Sequence, residues 1–332
     1  MPRTDRGILR LVRHLDPILL MLVLAVLAVS VAVVTSASGQ SPVRISGHLV
    51  NIGLALTLMI VMANVPPHLL SKVGPPLYAL GVVLLIGVAL FGEIRNGSRR
   101  WLDFGVMAFQ PSELLKLALP LMLAWYFQRN EAQLNTKHFL VAGALLVVPF
   151  LLILRQPDLG TALLIGASGF YLLFFAGLSW KVIAAGAVAV AASLPVAWRF
   201  MHDYQQQRVL TLLDPSSDPL GAGYHIIQST IAIGSGGLFG KGWMEGTQNQ
   251  LDFIPERTTD FIFAVFGEEF GYVGAILLVA LYLAIVARGL AIAARAPTQF
   301  GRLMAATISL NLFTYVFVNM GMVSGILPVV GV

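Results

Sequence analysis

A short polar run directly before an apolar stretch contains the carboxylate best placed to do chemistry. The run PERTTDFIF occupies residues 255–263 and puts Asp260 at the boundary. A carboxylate there can take a proton from the hydroxyl group of a bound substrate. Thr259 or Asp260 could also cap the start of a helix, because their side-chain oxygens accept hydrogen bonds from the free N–H groups of a first turn. The two roles are compatible, and the spacing alone leaves both open.

A second pair of ionisable residues lies inside an apolar run. Glu113 and Lys116 are three residues apart and therefore share one face of a helix. Ionisable groups within hydrocarbon are costly and usually face a partner or a wet cavity. Either the two form a structural ion pair, or Lys116 meets a lipid phosphate while Glu113 orients it.

Other carboxylates at the ends of apolar runs are expected to be structural. Asp158 stands at the head of an apolar run, where capping of a helix is its ordinary use. Glu268 and Glu269 lie near the start of another run, and we expect one of them to pair with Lys241 or Arg257.

The glycine-rich run GSGGLFGKG at 234–242 resembles a nucleotide-binding loop only superficially. Ser235 stands where the first glycine is required, and Gly242 stands where Ser or Thr would bind the metal. We expect tight turns and close backbone approach instead, although Lys241 could supply positive charge to a diphosphate.

No metal or cofactor motif is recognisable. Cysteine is absent, and the six histidines are dispersed. His202 and His225 in the longest polar segment are too isolated to predict a metal site. A protein-ligated transition metal is therefore not expected.

The composition indicates that part of the protein surface is surrounded by lipid. Of 332 residues, 57% are apolar and 11% are charged, against roughly a quarter charged in soluble domains. The mean hydropathy is +0.82. The net charge of +5 comes from basic residues scattered between apolar blocks, so a nucleic-acid partner is not expected.

Nine apolar runs are long enough to cross a membrane. Because backbone polar groups in lipid must be paired within each segment, the runs should be helices. We therefore predict an all-α polytopic membrane bundle within a single domain over 1–332. The runs are 16–35, 46–64, 74–92, 111–127, 138–154, 159–178, 181–198, 270–290 and 302–321.

Lys and Arg residues in the loops predict the orientation, because cationic loops resist translocation. They place the N-terminus in the cytoplasm and two long segments outside, near 93–110 and 199–260. The segment near 93–110 does not follow the rule that outer loops have few Lys and Arg residues, because it is itself basic. The second holds several aromatic residues, so we expect a structured segment with short helices at the membrane surface. The inner set is Arg3, Arg6, Arg10, Arg13, Lys72, Arg129, Lys137, Lys181, Arg288, Arg295 and Arg302.

Several long strings resemble one family, that of shape, elongation, division and sporulation proteins, and its elongation, or RodA-like, branch in particular. The resemblance covers nearly the whole chain. It is carried by LDPILL at 15–20, SASGQ at 36–40, NGSRRWLDFG at 96–105, FQPSELLK at 109–116, QPDLGT at 156–161, MHDYQQQRVLTLLDP at 201–215, DPLGAGYHIIQS at 218–229, AIGSGGLFGKGW at 232–243 and EGTQNQLDFIPERTTDFIFAVFGEE at 245–269.

This resemblance implies a glycosyltransferase that polymerises lipid II, the undecaprenyl-diphosphate-linked disaccharide pentapeptide, at the outer face of the bacterial cytoplasmic membrane. The family's essential aspartate matches Asp260, and its membrane-embedded Glu and Lys match Glu113 and Lys116. Many relatives have an arginine where this chain has Ala108, and Arg99 or Arg100 could replace that lipid contact.

The resemblance also implies partners and a further span. Family members usually have ten spans, so we expect a last helix beyond the nine found here. We also expect a class B penicillin-binding protein, a transpeptidase, as a partner, together with other membrane proteins of the elongation complex.

In such a reaction a base activates the attacking hydroxyl and cations meet the departing diphosphate. Asp260 is then the base. Lys116, Arg208, Lys241 or a hydrated divalent ion, Mg or Mn, meets the diphosphate. A single displacement predicts inversion at the anomeric carbon.

Two other classes of function stay open on sequence grounds. The protein could be a transporter that flips lipid II across the bilayer, although no internal repeat is evident. It could also be a scaffold that only recruits a partner synthase.

Overall fold

Long helices dominate the protein, as the all-α prediction requires. A computed structural model describes residues 14–95, 98–103, 108–156, 158–201, 203–219, 221–254 and 256–328. The predicted basic tail at 1–13 lies outside this part of the chain. In the described residues, nine long helices occupy the nine predicted apolar ranges. They are α1 Pro17–Ala37, α2 Pro42–Ala63, α3 Pro67–Phe91, α4 Pro111–Arg129, α5 Thr136–Leu154, α6 Leu159–Phe175, α7 Trp180–Phe200, α11 Ile262–Ala294 and α12 Gln299–Val323.

Local sequence explains where several helices begin. Proline lies in the first turn of each of the first four helices, where its fixed φ suits the helix and its missing N–H costs nothing. Asp16 caps α1 by accepting a 2.9 Å hydrogen bond from the Leu19 N–H. Asn135 and His138 form a capping box at the start of α5.

The helices have the length and composition of a multi-pass membrane protein. Among the described residues, six are long and apolar enough to cross a bilayer, namely α1, α2, α3, α5, α11 and α12. Helices α6 and α7 supply shorter apolar stretches, and α4 carries Glu113, Lys116 and Arg129. The chain is thus a polytopic helical bundle, and the exact number of spans stays a prediction.

Helix α11 begins earlier than the sequence predicted. The apolar run was expected at 270–290, whereas the helix extends from Ile262 to Ala294 with a break at Gly271, where φ is 65° and ψ is −165°. Glu268 and Glu269 interrupted the apolar pattern. Both are buried in the structure, so the helix continues through them.

The first of the two long segments forms a small sheet. Strands β1 Glu93–Arg95, β2 Ser98–Asp103 and β3 Ala108–Phe109 pair in the antiparallel order β1-β2-β3. This sheet is the exception to the helical architecture within the described ranges.

The second long segment is structured, as predicted. It contains α8 Asp203–Leu213, α9 Ala222–Ser235 and α10 Thr247–Gln250, with a 3-10 turn at Pro215–Ser217. The position of these helices at a membrane surface stays a prediction.

The chain divides into two compact units. The first comprises Met1–Asn64, Ala189–Ile285 and Tyr315–Val332, and the second comprises Val65–Val188 and Val286–Thr314. Each has its own apolar core. The core of the first includes Val33, Ala37, Phe261, Val265, Met322 and Val323. The core of the second includes Leu85, Leu115, Leu119, Phe127, Leu172 and Leu303.

Within each unit, loops predicted on the same side of the membrane meet. In the first unit the Arg44 guanidinium donates to the Thr258 hydroxyl at 3.1 Å, joining two segments predicted outside. In the second unit Arg100 and Asp158, also from two outer segments, lie 3.7 Å apart. The grouping of loops agrees with the predicted topology, and the absolute orientation stays a prediction.

Candidate functional site

Asp260 lies at the boundary of α11, two residues before its first helical residue, and is partly buried. Burial raises the pKa of its carboxyl group above the ordinary value, and the charge of Glu256 raises it further. A raised pKa makes the carboxylate a better proton acceptor near neutral pH. The backbone carbonyl of Asp260 accepts a 3.0 Å hydrogen bond from the Asn319 side-chain amide.

The capping alternative for Thr259 and Asp260 finds no support in the hydrogen bonds. The Thr259 hydroxyl donates to the Glu256 carbonyl at 3.3 Å and to its carboxylate at 3.1 Å. Among the described residues, no hydrogen bond joins the Asp260 side chain to the N–H groups of α11. The Asp260 carboxylate is therefore available for chemistry.

Phe261 anchors the chain beside Asp260. Its side chain is buried, and its ring lies 5.3 Å from the His225 ring, centroid to centroid. Its N–H donates to the Glu256 carbonyl at 3.2 Å. Asp260 thus sits on a fixed backbone.

The segment that leads to Asp260 has unusual backbone geometry. Met244, Asp252 and Glu256 have φ values of 67°, 59° and 46°, a left-handed conformation that non-glycine residues adopt at a cost. Arg257 pairs with the Asp252 carboxylate and donates to the Asn249 carbonyl. These contacts hold the segment in a defined path.

Lys241, a predicted contact of the diphosphate, is engaged by Glu268. Its ammonium lies 2.7 Å from the Glu268 carboxylate and donates to the Thr247 hydroxyl at 2.7 Å. The prediction that Glu268 or Glu269 pairs with Lys241 or Arg257 is confirmed for Glu268 and Lys241. The carboxylate of Glu269 accepts from the Ser36 hydroxyl instead.

The glycine-rich run packs backbone to backbone against the break in α11. The N–H groups of Lys241 and Gly242 donate to the carbonyls of Glu268 and Glu269 at 3.0 and 3.1 Å. In return, the N–H groups of Tyr272 and Val273 donate to the carbonyls of Gly237 and Leu238 at 2.9 and 3.0 Å. The break therefore leaves these four backbone groups paired, as buried backbone groups require. The predicted close backbone approach is confirmed.

In the second unit Glu113 and Lys116 form the predicted ion pair. Lys116 Nζ lies 2.8 Å from Glu113 Oε1, with the Glu113 side chain 53% exposed and that of Lys116 19% exposed. The geometry fits both alternatives, because an exposed carboxylate can orient a lysine that also meets a phosphate.

Arg100 belongs to a polar cluster around Asp158. The buried Asp158 carboxylate accepts the Thr161 N–H at 3.1 Å and so caps α6, as predicted. Gln110 donates to the same carboxylate at 3.2 Å, and Arg100 lies beside it. Arg100 therefore has a structural role in addition to its predicted role in lipid binding, and the side chains of Arg99 and Ala108 lie outside the described part.

The remaining predicted residue, Arg208, is exposed on α8. The first unit thus contains Asp260, Lys241 and Arg208, and the second contains Glu113, Lys116 and Arg100. Within the described ranges, no group of three or more His, Cys, Asp or Glu could hold a metal ion.

Sequence reasoning missed three uncharged residues. They are Asn319, which fixes the Asp260 carbonyl, and Asn249 and Ser36, which bond each other beside Glu269. The signal for Asn319 was a carboxamide inside an apolar run, which in a membrane helix needs a partner.

Comparison with known proteins identifies the family. Residues 11–332 match the family FTSW_RODA_SPOVE, described as "Cell cycle protein". The chain is 55% identical over 320 residues to the peptidoglycan glycosyltransferase MrdB of Escherichia coli K12, covering 96% of this chain and 86% of that protein. It is 30% identical to the peptidoglycan glycosyltransferase RodA of Treponema pallidum, and that match covers 98% of this chain and 93% of that protein.

Two solved structures share the fold. One comes from work titled "Structural coordination of polymerization and crosslinking by a peptidoglycan synthase complex". It is 36% identical in sequence to this chain and has a TM-score of 0.78. The match covers 96% of this chain and 89% of that chain. The other is the rod shape determining protein RodA of Thermus thermophilus, which is 29% identical and has a TM-score of 0.65. That match covers 92% of this chain and 84% of that chain. With nearly its whole length matched, this chain belongs to the FTSW_RODA_SPOVE family and is similar to its RodA-type members.

Proposed function

We propose that this protein is a peptidoglycan glycosyltransferase that polymerises lipid II into glycan strands during cell elongation. Relatives at 55% and 30% identity are named peptidoglycan glycosyltransferases. The observation that carries the mechanism is Asp260, a partly buried carboxylate with a raised pKa on a fixed backbone at the boundary of α11.

Asp260 acts as the general base. It takes the proton from the attacking sugar hydroxyl, whose oxygen forms a bond to the anomeric carbon of the donor sugar. The bond from that carbon to the diphosphate oxygen breaks, and its electron pair leaves with the undecaprenyl diphosphate. A single displacement of this kind inverts the anomeric carbon, so an α-linked donor gives a β-linked strand.

Cations stabilise the charge that develops on the diphosphate. The candidates are Lys116, Arg208 and Lys241, with Arg100 as a further contact for anionic lipid. Lys241 has two of its three ammonium donors directed to Glu268 and Thr247, so it can offer one more. A divalent cation, Mg or Mn, at the diphosphate stays a prediction, and no step above is routed through it.

The reaction takes place on the outer face of the bacterial cytoplasmic membrane, and the N-terminus is cytoplasmic. The distribution of Lys and Arg supports this orientation. The contact between Arg44 and Thr258 also agrees with it, because it unites two segments that the charge distribution places outside.

A class B penicillin-binding protein is the expected partner, within an assembly of other elongation proteins. The structural relative at TM-score 0.78 comes from a peptidoglycan synthase complex in which polymerization and crosslinking are coordinated. A transpeptidase beside this protein would crosslink each strand as it forms.

Purified full-length protein given lipid II tests this function, with and without the transpeptidase. We expect glycan strands from the protein alone or with its partner. Movement of labelled headgroup across liposomes without any polymer would show a flippase. Polymer that forms in the presence of the partner at the same rate with Asp260→Asn as with the wild type, and more slowly without this chain, would show a scaffold.

A further inference from the structure

Glu268 is a fully buried carboxylate that receives four donors from one neighbouring segment and a fifth, more distant one from the Ser235 hydroxyl at 3.5 Å. Its side chain is 0% exposed. It accepts from the Lys241 ammonium at 2.7 Å, the Gln248 N–H at 2.9 Å, the Thr247 hydroxyl at 3.2 Å and the Asn249 N–H at 3.3 Å. A buried carboxylate that accepts from one cation and several N–H or O–H donors is strongly held.

All four of these donors belong to residues 241–249, which precede the candidate base in the chain. This segment includes Met244 in a left-handed conformation, followed by Asp252 and Glu256 in the same conformation. Strained backbone of this kind persists only where surrounding contacts hold it. The Glu268 carboxylate supplies such contacts at α10.

A continuous set of contacts leads from α10 to Asp260. The Asn249 carbonyl accepts from Arg257, which also pairs with Asp252. The Glu256 carbonyl accepts the Phe261 N–H at 3.2 Å, and Phe261 follows Asp260 directly. A shift of α10 would therefore pass through Arg257 to the backbone of Asp260.

The backbone of the glycine-rich run is held in a different way, although the side chains of Lys241 and Ser235 also donate to the Glu268 carboxylate. Its backbone bonds to the break in α11 involve no side chain, so they remain when the Glu268 carboxylate is removed. Loss of that carboxylate should thus loosen residues 247–260 and leave the backbone packing of 236–242 intact.

We propose that Glu268 is a positioning residue for the glycosyl transfer: its carboxylate anchors α10 and thereby fixes the segment that carries Arg257 and Asp260. The proposal rests on the proposed function for its effect on catalysis. The anchoring itself follows from the contacts alone.

The test compares Glu268→Gln with Glu245→Gln in the purified full-length protein. Glu245 is an exposed carboxylate of the same segment and is the matched control. Hydrogen exchange of residues 247–260 and the kcat and KM for lipid II are measured for both. We expect faster exchange in Glu268→Gln, a kcat lower by about 10- to 100-fold, because small misplacements of reacting groups cost that much, and a KM changed less than kcat. The control should match the wild type in both measurements.

Two milder variants keep the test decisive if Glu268→Gln does not fold. Glu268→Asp retains the charge, and Thr247→Val removes one donor without exposing a buried charge. Both should give intermediate exchange and intermediate kcat. Unchanged exchange, or faster exchange with unchanged kcat, would overturn the positioning role. If the wild type forms no polymer, the proposed function fails, and exchange in the variants alone decides whether Glu268 anchors the segment.

Discussion

The side-chain amide of Asn319 donates a 3.0 Å hydrogen bond to the backbone carbonyl of Asp260. Helix α12 thus holds the backbone of the candidate base, although Asn319 lies 59 residues further along the chain. The contact is made to the backbone, so it fixes the position of Asp260 without occupying its carboxylate.

Replacing Asn319 with Ala should therefore impair catalysis as well as stability. We expect a loss of about 1 kcal/mol in the free energy of unfolding, the usual net value of such a bond, and a kcat lowered by about tenfold through misplacement of the base. Asn311→Ala is the matched control, because Asn311 lies on the same helix and donates to the Ser168 hydroxyl at 3.0 Å. Equal kcat in the two variants would contradict the role of Asn319.

The pH dependence of the reaction should report the environment of Asp260. Burial and Glu256 both raise the pKa of its carboxyl group, so the rate should fall as pH drops through that raised value and the base becomes protonated. Glu256→Gln removes one of the two causes. The acid limb of the initial-rate profile should then move to lower pH, and a limb that stays in place would show that another group controls it.

The sequence predicted the long helices and suggested the candidate base, but it did not reveal the contacts that hold the backbone around that base. Apolar runs predict spans because the bilayer imposes their length. The start of α11 was placed too late because Glu268 and Glu269 resemble exposed charges until their partners are known. The roles of Asn319 and Asn249 depend on contacts between distant segments, which periodicity and charge do not reveal.

Glycines in the glycine-rich run and at the break in α11 should not tolerate alanine where the added Cβ atom would collide with a neighbouring backbone. A Cβ at Gly240 would collide with the carbonyl of Glu269, and one at Gly271 with the N–H of Gly240; both glycines also have positive φ. Alanine at either position should lower stability by more than about 1 kcal/mol, seen as a lower Tm in detergent. Gly234→Ala is the control, because that glycine has open space around it. A normal Tm for Gly240→Ala would show that the packing is loose.

Exchanging the charges of Glu113 and Lys116 separates the two interpretations of that pair. The double variant Glu113→Lys with Lys116→Glu retains an ion pair on the same helical face. If the pair is only structural, polymerisation should return to near the wild-type rate. If Lys116 meets the diphosphate, as we propose, the exchanged protein should fold with normal Tm but show a raised KM for lipid II. Recovery of wild-type KM would exclude the phosphate contact.

The rate of glycan formation from purified lipid II by Asp260→Asn tests the central claim most directly. The amide cannot accept the proton, so we expect a loss of about 100-fold or more, the usual contribution of a general base. A group whose folded pKa is raised contributes stability that is lost as pH rises through that pKa. The neutral amide avoids this loss, so the Tm near pH 7 should equal or exceed that of the wild type. A folded Asp260→Asn protein that polymerises lipid II at the wild-type rate would contradict the account.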